Sequence, residues 1–104
     1  MTTKKYGTKE LEKEFGPLTL GEALEGYRMS NEITQAELAK KIGISQQSLC
    51  DIEKGRRIPS PARAAKIAKA IGHPVSFWVT LGLQDELRKY NLQFDVKLIP
   101  AKAA

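Results

Sequence analysis

The sequence predicts an all-α domain of five helices followed by a short C-terminal β-strand, and three observations carry that prediction. Two capping boxes, Thr19 with Glu22 and Thr34 with Glu37, open helices by exchanging side-chain and backbone hydrogen bonds at their first turns. Gly43, Gly55 and Gly72 follow helical stretches and end them, and positive φ at such a residue costs glycine little. After Asn91 the apolar period drops to two. Leu92, Phe94, Val96 and Leu98 alternate with Gln93, Asp95 and Lys97, the pattern of a half-buried strand.

Taken in order, residues 1–8 are small, polar and basic, which predicts a mobile arm. Lys9–Phe15 fits a short helix with Leu11 and Phe15 on one side, ended by Gly16 and Pro17. The helix opened by Thr19 runs to about Ser30 on a stripe of Leu20, Ala23, Leu24 and Tyr27. The one opened by Thr34 runs to Lys41 or Ile42. Ser45 caps a third over 46–54. Ser60 caps a fourth, with Pro61 at the first position, where a missing N–H is harmless, and it reaches Ile71. A fifth starts near Pro74 to Ser76 and ends near Tyr90 or Asn91. Pro100 ends the strand. The expected organisation is an arm (1–17), a helical domain (18–91) and a strand with tail (92–104).

Length and composition fit one compact domain: 104 residues, 41% of them hydrophobic. No apolar run approaches the roughly 20 residues of a membrane span, and no signal-type stretch opens the chain. The single cysteine, Cys50, excludes an internal disulfide and a multi-cysteine metal site, and fits a reducing cytoplasm. With one histidine, no metal-ligand spacing, no phosphate loop and no nucleophile–base pair, neither a cofactor, a metal nor an enzyme is expected. Charge is more telling. The chain carries +5, but residues 40–69 alone hold eight basic and two acidic side chains. Such a patch suits a polyanion, or is simply a solvated lysine-rich face.

The second and third helices are joined by only Gly43, Ile44 and Ser45, so they must cross steeply. Close crossing needs a small residue, Ala39, and a turn residue tolerant of positive φ, Gly43. Leu38, Ile42, Ile44, Leu49 and Ile52 fall where inward anchors belong. The spacing Ala39, Gly43, Leu49, Ile52 matches a helix-turn-helix; an ordinary αα-hairpin in another bundle is the alternative.

The stretch Gln35–Leu49 resembles the repressor/Cro (Xre-type) family, the lambdoid phage repressors above all, and the similarity spans about residues 18–80. The resemblance implies a repressor-like DNA-binding domain whose second motif helix enters the major groove. By position it puts Gln35 and Ser45 on phosphates, and Gln46 and Gln47 at base edges. A Gln amide presents a donor and an acceptor side by side, which suits adenine N6 and N7. Asp51 falls at a base-proximal position, where its carboxylate accepts from cytosine N4 or repels phosphate. Lys54, Arg56, Arg57 and Arg63 suit phosphate contacts that fix register, or a solubilising rim. Arg28 and Glu53 match a buried structural ion pair. Cys50 reads as a small half-buried residue, with a redox switch as the rarer alternative, and His73 reads as loop.

Ser76–Gln84 is similar to the segment that closes the helical domain of HigA-like antitoxins, which implies Phe77 and Trp78 as core anchors. The usual Ser-Pro-Glu start is His73-Pro74-Val75-Ser76 here, so the cap is not evident. A lone strand leaves backbone groups unpaired. Leu92, Phe94, Val96 and Leu98 are therefore expected at an interface: with the same strand of a second copy, with a toxin's edge, or with residues 1–8. The expected function is a homodimeric repressor of a pseudo-palindromic operator in double-stranded DNA, autoregulating a toxin–antitoxin operon. A stand-alone regulator and a protein-binding coactivator of the bridging type are the alternatives.

Overall fold

The computed structural model describes residues 17–101. The expected arm (1–8), the helix at 9–15 and the last three residues lie outside it. Five helices follow in order: α1 (Leu20–Ser30), α2 (Gln35–Ile42), α3 (Gln46–Glu53), α4 (Pro61–Ile71) and α5 (Val75–Lys89).

The starts are set locally. Thr19 Oγ1 accepts from Glu22 N–H at 3.1 Å while Glu22 accepts from Thr19 N–H at 3.2 Å. Thr34 and Glu37 repeat this at 3.1 and 2.8 Å. Ser45 and Ser60 take the N–H groups of Ser48 and Arg63 at 3.0 and 3.2 Å. Each bond satisfies a donor that the helix itself cannot pair. Only α5, opened by Pro74, has no side-chain cap. Its end is better made. Asn91 adopts φ +58°, Leu92 N–H bonds Leu87 C=O and Asn91 N–H bonds Arg88 C=O, the two bonds of a Schellman motif.

One core joins all five helices. Leu20 and Leu24 of α1 meet Leu38, Ala39 and Ile42 of α2, Leu49 and Ile52 of α3, a stripe from α4, and Trp78 of α5. Trp78 is 1% exposed, whereas Phe77, expected beside it in the core, is 45% exposed and only edges onto the indole. His73 does more than sit in a loop. Its Nδ1 accepts from the buried Trp78 Nε1–H at 3.3 Å, and its ring meets Tyr27 edge-on at 5.3 Å. The indole N–H needed a partner once buried, and His73 supplies it.

Two contacts hold α1 against distant parts of the chain. Asp85 of α5 accepts from Leu20 N–H at 2.9 Å, supplementing the cap, and also bonds Arg88. Burial pushes the Asp85 carboxyl above its ordinary value, against the opposing pull of that N–H and of Arg88. Gly21 lies against the end of α3, where an added Cβ would stand 2.2 Å from the Ile52 carbonyl oxygen.

The expected strand at 92–99 is absent. Among the described residues there is no strand at all, and 92–101 run without regular secondary structure. Alternation says which side chains share a face; a strand also needs a neighbour's N–H and C=O groups. The side chain of Gln84 replaces a small part of that neighbour. It accepts from Val96 N–H at 2.7 Å and donates to Phe94 C=O at 2.6 Å. Of the apolar tail residues Val96 is half-buried, while Leu92, Phe94, Leu98 and Ile99 stay exposed. The tail and Pro17 line one open cleft with Gln84 and Arg88. No helix among the described residues is long and apolar enough to cross a membrane.

Candidate nucleic-acid interface

The face of α3 opposite Leu49 and Ile52 is the candidate site, and three constraints fix its attitude. Gly43 at φ +89° makes the sharp turn from α2. Gly21 lets α1 approach the backbone of Ile52 and Glu53. A buried ion pair completes the set. Glu53, its side chain 2% exposed, receives Arg28 Nε at 2.8 Å on one oxygen and Arg28 Nη2 at 3.0 Å on the other. Gln35 Nε2 adds a third bond at 3.0 Å, and Arg28 Nη1 reaches Ile33 C=O at 3.3 Å. The hydrogen bond to Glu53 raises the Arg28 guanidinium pKa, outweighing the effect of burial. Charges removed from water need this degree of pairing.

These bonds alter how two residues expected on phosphates are disposed. The Gln35 amide is turned inward to Glu53. It retains its second N–H and the backbone N–H at the first position of α2, which the helix does not pair. The Ser45 hydroxyl is engaged in capping, through Ser48 N–H and through Ser48 Oγ at 3.0 Å.

On the outer face Gln46 and Gln47 are both exposed. Gln46 makes no side-chain hydrogen bond among the described residues, but Gln47 does. Its Nε2 donates to Asp51 Oδ1 at 3.0 Å, one helical turn on. The same oxygen accepts a hydrogen bond from Arg56 Nε at 3.0 Å, with Nη2 in ion-pair contact at 3.0 Å. Arg56 and Arg57 N–H groups both bond the Asp51 carbonyl, at 2.8 and 3.2 Å, which folds the loop back along the helix. This ends α3 at Glu53, with Lys54 as its cap. Arg56 first, then Gln47, hold the Asp51 carboxyl below its ordinary value, and Asp51 raises Arg56 in return. Cys50 is half-buried, its Sγ 3.7 Å from Arg56 Nη2.

The structure thus gathers Gln47, Asp51 and Arg56 into one cluster. Lys54 and Arg57 follow α3 in the exposed loop and Arg63 lies in the first turn of α4, and the side chains of all three make no bond among the described residues; of the three, Arg57 is near enough to help lower the Asp51 carboxyl. Lys66 was not singled out by sequence. Its ammonium lies about 3.7 Å from where a Cβ on Gly43 would stand, beside the α2–α3 turn. Its spacing of three from Arg63 puts both on one face of α4.

A model of the helix-turn-helix family, HTH_3, matches residues 24–78, more than half of the chain. The chain belongs to this helix-turn-helix family. It is 49% identical over 49 residues to an uncharacterized HTH-type transcriptional regulator of Methanocaldococcus jannaschii, covering 47% of this chain and 74% of that protein. It is 35% identical over 77 residues to the immunity repressor protein of Bacillus phage phi105, covering 71% and 53% respectively. It is 38% identical over 65 residues to human endothelial differentiation-related factor 1, covering 62% and 44%. The helix-turn-helix chain therefore spans about half the length of the last two relatives. No solved structure matches it. Within the motif α2 is the first helix, α3 the second, and Gly43 the turn between them.

Proposed function

We propose that this chain regulates transcription by sequence-specific binding of double-stranded DNA, and that it represses as a homodimer. One observation carries the reading: α3 is held from behind by the Arg28–Glu53 pair and the close approach at Gly21, yet presents exposed Gln46 and Gln47 at its start, with Lys54, Arg56 and Arg57 in the exposed loop that follows it and Arg63 in the first turn of α4. Phosphate contacts from such cations supply affinity, and groups at the start of a recognition helix supply discrimination. Relatives named as transcriptional regulators and as an immunity repressor support it.

A homodimer would set two copies of α3 in successive major grooves about 34 Å apart. Exposed Leu92, Phe94 and Leu98, with Val96, are the side chains we assign to the contact between copies or with another protein. The deciding experiment is selection of bound sites from a random DNA pool. A pseudo-palindrome is the expected result. Enrichment of a single half-site would remove the dimer, and no enrichment would favour a protein-binding role of the coactivator kind.

Two variants test the assignment of roles. Gln47→Ala is expected to cost about 1–3 kcal/mol on the selected site and little on unrelated DNA, by fluorescence-anisotropy titration. Equal weakening on both would remove base reading. Arg57→Ala is expected to weaken binding to every sequence and lower the slope of log K against log salt by about one. An unchanged slope would take Arg57 off the phosphates.

A narrower reading, an antitoxin that also binds a toxin and autoregulates its operon, draws on Ser76–Gln84 and on the exposed tail. Co-purification with the product of a neighbouring toxin-like reading frame would support it, and separate elution would sink it.

A further inference from the structure

The Gln47 amide is held by its nitrogen alone. Nε2 donates to Asp51 Oδ1, while Oε1 makes no bond among the described residues. Asp51 is itself held, because the same oxygen takes the Arg56 guanidinium. The Asp51 carbonyl anchors the loop that carries Arg56. From this arrangement we infer that Asp51 is a positioning residue that makes Gln47 select adenine over guanine. The inference rests on Gln47 reading DNA, as proposed above.

The argument is one of hydrogen counting. A free Gln amide rotates end for end and can meet either purine. Guanine shows two acceptors in the major groove, N7 and O6, so a bidentate Gln must offer both hydrogens of its nitrogen. Adenine shows an acceptor, N7, and a donor, N6, so Gln must offer one hydrogen and its oxygen. An ionised carboxylate only accepts. Asp51 therefore faces the amide nitrogen, never the oxygen, and consumes one of its two hydrogens. What remains is one N–H and Oε1, the complement of adenine. The pair of hydrogens that guanine needs is no longer available. Arg56 keeps the carboxylate in place and ionised, so the bias is built before DNA arrives.

Asparagine at position 51 removes the bias with little change of shape. Its amide can turn its own nitrogen toward Gln47 Oε1, which frees both hydrogens of Gln47. The test uses the full chain, as wild type, Gln47→Ala, Asp51→Asn and Asp51→Ala, at one salt concentration. Each is titrated on the selected site and on versions with single base pairs replaced. Gln47→Ala identifies the base pair that Gln47 reads. At that pair the wild type is expected to prefer A·T to G·C by about tenfold to a hundredfold, the range of a bidentate contact. Both Asp51 variants are expected to bring the preference below about threefold there and leave it intact at other pairs. Should Gln47→Ala abolish the preference while the Asp51 variants retain it, positioning by Asp51 is wrong and reading by Gln47 stands. Uniform weakening by the Asp51 variants, with the preference kept, would mean a merely structural residue and would also overturn the inference. If Gln47→Ala changes no base preference, both the inference and the reading beneath it fall.

Discussion

Replacing Arg28 with methionine is expected to cost about 3–5 kcal/mol, because it leaves the Glu53 carboxylate buried with only Gln35 to bond it. Against the roughly 5–15 kcal/mol that holds a domain of this size together, that is a large share. Urea denaturation of both proteins measures it directly. The double variant Arg28→Met with Glu53→Leu removes both charges and is expected to recover most of the loss, since the main penalty is the unpaired charge. A single-variant loss below about 1 kcal/mol would mean that water reaches Glu53 and that the pair is not buried in solution. The pair also ties α1 to the last residue of α3. Breaking it is therefore expected to weaken DNA binding even at temperatures where the protein remains folded.

Gly21→Ala is expected to destabilise by about 1–3 kcal/mol, although alanine is the better helix former by up to about 1 kcal/mol. The added methyl would stand 2.2 Å from a backbone oxygen, which has no rotamer to escape into, so α1 and α3 must separate. Gly26→Ala is the matched control. It lies in the same helix with nothing within 4 Å, so there propensity acts alone and a gain of about 0.5–1 kcal/mol is expected. Opposite signs at the two positions in thermal melts would establish the close approach. Equal signs would refute it.

These cases show what the sequence could and could not reveal. The caps at Thr19, Thr34, Ser45 and Ser60 were legible because each bond spans three residues, so the signal sits inside one short window. The α2–α3 turn was legible for the same reason. Gly21 was not, because a glycine inside an amphipathic helix looks like a defect until the opposing backbone is known. The bond from Leu20 to Asp85 joins residues far apart, and no local pattern announces it. Position 51 was half legible. Its spacing of four from Gln47 is a helical neighbour relation, but the return of Arg56 depends on a loop path that composition does not encode. Alternation at 92–99 was legible but pairing was not, and past the helix end at Leu92 the segment's backbone meets no neighbouring strand among the described residues, only one local bond and the side chain of Gln84.

The cleft shared by Pro17 and the tail has a consequence of its own. Pro17, where the described chain begins, and residues 91–95, just after α5, border the same cleft. Changes there are neighbours in space although they are remote in sequence. Substitutions at Pro17 and Phe94, which line this one cleft, are for that reason expected to depart from additivity in thermal melts, and strict additivity would show the two to be independent.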